Sequence, residues 1–285
     1  MSIGSLTNTS LYLPYDKFID VQGIKILVLP EVNNEFPVIV ASIYNQIFSI
    51  GDNSDSILRD SFLSNISTNQ IGQRIGFSGP DYYESIGQPS KWEQFSGSLE
   101  LVDFIWQIES NESEQIAEII EHQLHTITGL TFKYTYPKQW NYYDPNSDIN
   151  IAMQQAYSTG IYNTDGMYND VDSQGLMEVL PQEFAFWVIV TAWDYIEKYF
   201  PNNENEWSLK SSTELKEKLP LAYKLYEETV LPVITKPSES FLDSLSFSYA
   251  SNTDQDIVDS SSEDLSLSQT TITLNLSPTN EEIVA

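Results

Sequence analysis

The sequence predicts an α+β protein that is mostly helical, with a small sheet near the N-terminal half and a disordered C-terminal tail. Short runs rich in β-branched residues and bounded by Gly or Pro occupy the first part of the chain. Longer segments with apolar residues at helical spacing follow them. From Pro237 onward there is no Lys or Arg, and Ser, Asp, Glu and Thr are abundant without helical periodicity, which indicates a disordered or weakly β tail.

The small sheet is predicted from short runs, the first of which starts after Gly23 and ends at Pro30. Two helices are predicted after this strand, and Pro37 suits the first turn of the earlier one. Residues 1–17 are predicted to form a loose arm. The elements predicted after the arm are a strand at 24–29, helices at 36–50 and 54–66, and strands at 74–77 and 101–106.

Helices dominate the rest of the predicted structure. The clearest one covers 113–128, where Glu112 and Glu114 complement the positive end of the helix dipole and Gly129 supplies a stop signal. The helix that follows Pro181 is apolar nearly all round, so it is expected to be buried. The remaining helices are predicted at 149–159, at 182–199 and at 211–228 with a break at Pro220.

The chain has 285 residues, 41% of them hydrophobic, which is enough apolar material for one large domain. The predicted division is an arm at 1–17, a domain at 18–236, and an acidic Ser-rich tail at 237–285 that would serve as a secretion signal. Thirteen Lys and Arg oppose forty-one Asp and Glu, a formal net charge of −28. Phosphate groups repel such a surface, so we expect no binding to nucleic acid or to anionic membranes.

Cysteine is absent, which excludes disulfides, thiol catalysis and Cys-based zinc sites. The N-terminus shows neither the positive region nor the apolar core of a cleaved signal, and the longest apolar run, 184–193, is too short to span a bilayer. We therefore expect no membrane insertion. The predicted location is extracellular, reached without an N-terminal signal, and the alternative is the cytoplasm.

Both histidines of the protein lie in one turn of the helix predicted at 113–128. At 100° per residue this helix has an apolar face and a polar face. The polar face gathers two imidazoles and three carboxylates: Glu114, Glu118, Glu121, His122 and His125. Such a face either points to solvent, as polar helix faces commonly do, or lines a site.

Imidazole and carboxylate are the ligands that zinc takes where no thiol is available. His122 and His125 are three residues apart, near enough to share one ion, and Glu121 beside them could act as general base. Glu183 is a lone carboxylate at the start of the apolar helix predicted at 182–199. It either complements the helix N-terminus or supplies a third metal ligand.

The order of these elements resembles the anthrax toxin lethal factor-like branch of the zincin metallopeptidases. That branch has an early strand, a helix with His-Glu-x-x-His, a helix whose Glu-Phe-x-Ala motif holds the third zinc ligand, and a closing helix with Pro and Tyr. The matching segments here are 24–29, 120–127, 183–187 and 219–226. The chain is also similar to marine bacterial proteins that carry a Glu-His-x-Leu-His-Thr helix, some of them calcium-binding and exported by type I secretion.

The resemblance implies a zinc-dependent peptidase acting on a peptide or protein, but here Glu121 precedes His122 where the family has His before Glu. In one arrangement His122, His125 and Glu183 bind zinc and Glu121 is the general base; we prefer this one because it keeps the acid–base chemistry. In the other, Glu121, His125 and Glu183 bind zinc and His122 stands in place of the base. A zincin fold that has lost turnover is the third outcome.

The resemblance also implies a Tyr that stabilises the oxyanion, and the candidates are Tyr157, Tyr162 and Tyr168. The main non-enzymatic alternative is a calcium-binding or adhesive extracellular module. The segment 163–172 offers several oxygen ligands near Gly166, but it lacks the first Asp and the last Glu of an EF-hand loop. A solvated turn is the other interpretation of this segment.

Overall fold

The computed structural model describes residues 3–79, 83, 96–107, 111–201 and 205–247 and confirms the α+β class. Among these residues, a five-stranded sheet lies in the N-terminal half and helices make up most of the remainder. The strands are β1 (Thr7–Tyr12), β2 (Tyr15–Val21), β3 (Ile24–Val28), β4 (Gly72–Gly76) and β5 (Phe104–Trp106). The disorder predicted for 248–285 lies outside the described residues.

The five strands lie side by side in the order of the sequence. β1, β2 and β3 pair antiparallel, and the turn between β2 and β3 places Gln22 and Gly23 at φ values of 49° and 100°. β4 pairs parallel with β3, and β5 pairs parallel with β4. Parallel strands need a crossover connection, and α1 (Phe36–Ile47) and α2 (Ser56–Thr68) form the one between β3 and β4.

The N-terminal segment belongs to this sheet, so the loose arm predicted for 1–17 is wrong. β1 pairs with β2, and β2 begins at Tyr15. Buried and partly buried residues alternate along β2, the period of a strand with one face in the core. β1 is largely exposed, so its sequence carries little apolar signal, and its strand conformation depends on pairing with β2.

Helices follow the sheet along the chain. A π-helical turn, Ile127–Thr131, joins the helix at Glu112–Thr126 directly to the short helix at Phe132–Thr135. Gly129 therefore does not end the helix as predicted. Gly129 lies where α-helices meet, and a Cβ atom there would approach the Gln182 side chain to 3.4 Å. The helices are α3 (Glu112–Thr126), α4 (Phe132–Thr135), α5 (Asp148–Ser158), α6 (Ser173–Ala192), α7 (Ile196–Tyr199), α8 (Ser212–Lys218), α9 (Pro220–Leu225) and α10 (Glu239–Leu242).

α6 begins earlier than predicted, at Ser173, and Pro181 lies inside it rather than in its first turn. Asp172 sets this start, because its Oδ1 accepts hydrogen bonds from the backbone N–H groups of Gln174 and Gly175 at 3.1 and 2.8 Å. The second half of α6 is buried. By length and composition α6 could cross a membrane, but 56% of its apolar window is buried inside the protein, as in a core helix.

The packed structure extends past the domain boundary predicted at 236. The Tyr195 hydroxyl donates a hydrogen bond to the carbonyl of Pro237, and Leu242 in α10 is fully buried. The rings of Phe36 and Phe247 contact each other with centroids 6.4 Å apart. Residues 237–247 are therefore part of the domain and not of an acidic tail.

Candidate metal centre

Three elements bring imidazole and carboxylate side chains together. α3 packs against β4 and β5, and α6 packs against α3. Asp103 immediately precedes β5, the two histidines lie in the last turns of α3, and Glu183 lies in α6. The sheet and two helices thus position the candidate site, which no single segment of the chain could form.

The part of the polar face of α3 that carries the two histidines points toward these neighbours and not toward solvent. Asn111 caps the helix by accepting a hydrogen bond from the backbone N–H of Glu114 at 2.9 Å. The apolar residues of the helix pack into the core as predicted, and among them Ile120 and Leu124 are fully buried. The side chains of His122 and His125 are only 12% and 1% exposed. A solvated helix face is therefore excluded for both imidazoles.

Asp103 holds both imidazoles in place. Its Oδ2 atom lies 2.7 Å from Nδ1 of His122 and 2.6 Å from Nδ1 of His125, so it accepts a hydrogen bond from each ring. This arrangement directs both Nε2 atoms away from Asp103. Sequence analysis missed this residue, although an Asp inside the apolar run predicted at 101–106 was a signal that could have found it.

The two Nε2 atoms have different surroundings. Nε2 of His122 lies 3.0 Å from Oε1 of Glu118, one turn earlier in α3. Nε2 of His125 lies 3.5 Å from Oε2 of Glu183 and makes no hydrogen bond, although it is buried. A buried polar atom without a well-formed hydrogen bond costs free energy, so the Nε2 atom of His125, which has only its ion pair with Glu183, marks a place where a ligand would be stabilised.

Two groups of these side chains could hold a metal ion. One consists of Asp103, His122 and His125, and the other of Glu121, His125 and Glu183. Within each group the ligand atoms lie within 4.8 Å of one another. In the part of the chain that the structure describes, Glu183 is thus grouped with Glu121 and His125, and not with His122 as in the preferred arrangement from the sequence. Glu121, predicted as the general base, lies in a ligand group.

The distances distinguish the two groups. Tetrahedral zinc has bonds of about 2.0–2.1 Å to nitrogen and oxygen, which places two ligand atoms about 3.3 Å apart. The 3.5 Å between Nε2 of His125 and Oε2 of Glu183 fits this spacing. The separations of 2.6 and 2.7 Å at Asp103 are instead those of charge-assisted hydrogen bonds. Asp103 therefore has the geometry of a carboxylate that orients a metal-binding histidine through its other ring nitrogen.

The electrostatics of the cluster favour charged histidines. Burial lowers the pKa of His125, but Glu183 and Asp103 outweigh it and raise that pKa to about 10. Burial also opposes the charge on His122, yet Asp103 and Glu118 hold its pKa well above the ordinary value. For Asp103, burial favours the neutral acid, but the two imidazoles lower its pKa below the usual range. Without a metal the cluster is a network of ion pairs.

Glu121 differs from the other carboxylates of the cluster. Burial raises its pKa to about 7, with His122 and His125 opposing the rise and Glu183 and Glu118 adding to it. Its protonation therefore changes near neutral pH. This is the range in which a proton acceptor is most effective.

Of the three tyrosines considered from the sequence, Tyr168 is the one whose pKa is influenced by both Glu183 and Glu121. Its hydroxyl donates a hydrogen bond to Oε1 of Glu206 at 3.0 Å, and burial, then Glu183 and Glu206, raise its pKa. Its backbone has φ 54°, a conformation that costs free energy in a residue other than Gly. The hydroxyls of Tyr157 and Tyr162 bond instead to Thr164 and to the Leu180 carbonyl.

The segment considered for calcium forms turns. Asp172 caps α6, and Oδ1 of Asn163 accepts a hydrogen bond from the backbone N–H of Asp165 at 3.0 Å. Neither of the two metal-ligand groups found among the described residues includes a residue of 163–172. The solvated-turn interpretation fits this segment better than a calcium site.

Comparison with protein-family models, with curated proteins and with solved structures found no match to this chain. The resemblance to zincin metallopeptidases therefore stays a prediction. Since a fold alone does not specify a function, we argue function from the chemistry of the cluster.

Proposed function

We propose that this protein is a metal-dependent hydrolase of the peptidase type, with an ion held by His125, Glu183 and Glu121. The observation that carries the proposal is the buried Nε2 atom of His125, which has no hydrogen bond and faces Oε2 of Glu183 at 3.5 Å. A cation between these atoms would accept the lone pair of the His125 nitrogen and neutralise the negative charge of the carboxylates. The second arrangement considered from the sequence has these same three ligands.

Zinc suits this donor set better than calcium does. Zinc binds imidazole nitrogen together with carboxylate oxygen, usually with three protein ligands in a catalytic site. Calcium takes about six to eight oxygen ligands and does not favour imidazole. His125 and two carboxylates therefore support zinc as the ion, although other transition metals also accept imidazole.

The chain's own residues would prepare the site for hydrolysis. Asp103 orients the His125 ring through Nδ1, and the Phe186 ring packs edge-on against it with centroids 5.7 Å apart. When bound, the metal would supply a Lewis acid that makes water a nucleophile near neutral pH. Burial of His125 limits the access of bulk water, which strengthens electrostatic interactions within the site.

Tyr168 would serve as a hydrogen-bond donor to the substrate. Burial, Glu183 and Glu206 raise its pKa, so the phenol keeps its proton at neutral pH. In this structure the hydroxyl donates to Glu206. Rotation toward a substrate carbonyl would place this donor where negative charge develops during hydrolysis.

Glu121 has two roles open to it, and they predict different behaviour of Glu121→Gln. Its place in the ligand group suits metal binding, and its pKa of about 7 suits proton transfer. If Glu121 is a ligand, the variant loses zinc affinity. If it accepts the proton, the variant keeps the metal and loses turnover.

Metal analysis of the purified full chain tests the proposal. We expect one zinc per chain, which is lost in His125→Ala and bound much more weakly in Glu183→Gln. His122→Gln is the matched control, because His122 lies outside the proposed ligand set and that variant should retain the ion. Zinc binding that survives His125→Ala would contradict the proposed site.

Hydrolysis of casein or of a peptide library by the zinc-loaded protein then tests turnover. Cleavage that is abolished by a chelator and restored by zinc would support an active hydrolase. One tightly bound zinc without cleavage of any peptide would instead indicate a zincin-like protein that has lost activity, the third outcome considered from the sequence.

A further inference from the structure

A cavity of about 480 Å³ lies beside the helices that carry the proposed metal centre, and none of the proposed ligands lines it. Trp187 lines it and lies one helical turn after Glu183 in α6, so both side chains are on the same face of that helix. Glu206 also lines the cavity and is hydrogen-bonded to Tyr168. A molecule held at the metal could therefore extend into this space.

The cavity is lined by aromatic rings and by both neutral and acidic polar side chains. Trp187, Phe200 and Tyr199 contribute rings, and the Trp187 and Phe200 rings meet edge to face with centroids 6.0 Å apart. Two carboxylates, Glu206 and Glu114, line the same space. Aromatic faces attract cations, and a carboxylate at the end of an aromatic channel adds a charge partner.

A second, independent observation indicates that a ligand is needed here. Trp187 is only 8% exposed, and its buried indole N–H interacts with the Glu206 carboxylate without a hydrogen bond of normal length and angle. Buried indole N–H groups usually find an acceptor, so a substrate carbonyl would satisfy this donor. A carbonyl acceptor and a cationic end are both present in a basic amino-acid residue within a peptide.

We infer that this cavity binds the Lys or Arg side chain of a peptide substrate, an inference that rests on the proposed peptidase function. The aliphatic stem would pack against the rings of Trp187 and Phe200, and the cationic end would pair with Glu206. The net charge of −28 would also attract basic peptides. One helical turn, about 6 Å, separates Trp187 from Glu183, so the basic residue would lie within about two residues of the cleaved bond.

Binding of two peptides that differ only in charge tests this inference. The probes are the blocked tripeptides Ala-Arg-Ala and Ala-citrulline-Ala, since citrulline has nearly the shape of arginine without its charge. By calorimetry, the zinc-loaded full chain should bind the arginine peptide at least about tenfold more tightly, the effect of one desolvated charge pair. In Glu206→Gln this preference should disappear.

Two variants serve as controls. Glu206→Asp keeps the charge and should keep most of the preference for arginine. Glu228→Gln also removes one negative charge, but Glu228 is an exposed residue near Lys224 outside the cavity, so this variant should bind both peptides as the unaltered chain does. Urea unfolding of each variant shows whether it is folded.

Equal affinity for the two peptides, binding of neither, or a preference that persists in Glu206→Gln would overturn the inference. The measurement needs no turnover, so it is separable from the proposed function. An arginine preference in a protein that binds no zinc would contradict the metal site and leave the cavity assignment intact. Zinc binding and peptide cleavage without an arginine preference would support the metal site and contradict the cavity assignment.

Discussion

Asp103→Asn probes the residue that connects the two histidines. The substitution keeps the shape of the side chain and removes its charge. Oδ2 of Asp103 accepts hydrogen bonds from Nδ1 of His122 and of His125, and the side chain is only 20% exposed. Both bonds go to one oxygen, so an Asn oxygen in that position can still accept them, but the negative charge that pairs with the two imidazoles is lost. The Asn NH₂ group would then face the backbone N–H of Phe104, which donates to Oδ1 of Asp103 at 2.8 Å.

The expected effects follow from these contacts. Hydrogen bonds to charged groups contribute about 1.5–3 kcal/mol each, and removing one partner of a buried ion pair costs about 3–5 kcal/mol. We therefore expect metal-free Asp103→Asn to lose about 3–5 kcal/mol of unfolding free energy. Zinc affinity should fall about 10–100-fold, the usual effect of losing a carboxylate that orients a ligand rather than binding the ion.

Two assays measure these effects. Urea unfolding in the presence of a chelator gives the free energy of the metal-free protein, and competition with a chromophoric chelator gives the zinc affinity. Glu228→Gln is the matched control, because it also removes one carboxylate charge and Glu228 is an exposed residue near Lys224, outside the cluster. It should leave zinc affinity unchanged.

Two results would refute the reasoning. Unchanged zinc affinity in Asp103→Asn would show that Asp103 does not orient the metal ligand. Complete loss of zinc in this variant, with normal binding by Glu183→Gln, would place the ion between Asp103, His122 and His125 instead.

Three further predictions concern pH, packing and capping. Burial opposes the charge on His125, but Glu183 and Asp103 raise its pKa to about 10, and burial raises the pKa of Glu121 to about 7. Both groups therefore bind protons more tightly in the folded protein. The unfolding free energy of the metal-free protein, measured by urea titration, should fall between about pH 5 and pH 10. Zinc should reverse that trend, since it displaces these protons. Gly76→Ala should cost about 1–3 kcal/mol by calorimetry, because the new methyl group would overlap the Phe104 ring and disturb the strand after Asp103. Asp55→Ala removes the cap of α2 and should cost about 1 kcal/mol in urea unfolding while leaving zinc binding intact.

Local patterns in the sequence predicted most of the helices, because apolar spacing reports directly which face of a helix is buried. α3 shows this clearly: Ile120 and Leu124 are buried as expected, and both histidines lie on the opposite face. The same reasoning failed at Pro181 and Gly129, where capping by Asp172 and close packing of helices override the usual stop signals.

The sequence by itself determined which donors are available: two imidazoles on one helical turn, abundant carboxylates and no thiol. Only the tertiary structure decided how they are used. Asp103 and Glu183 lie 19 residues before His122 and 58 residues after His125, and no local periodicity encodes which ring nitrogen each carboxylate will meet. The packing of α3 against β5 and α6 made that choice, turning Nε2 of His125 toward Glu183 and Nε2 of His122 toward Glu118.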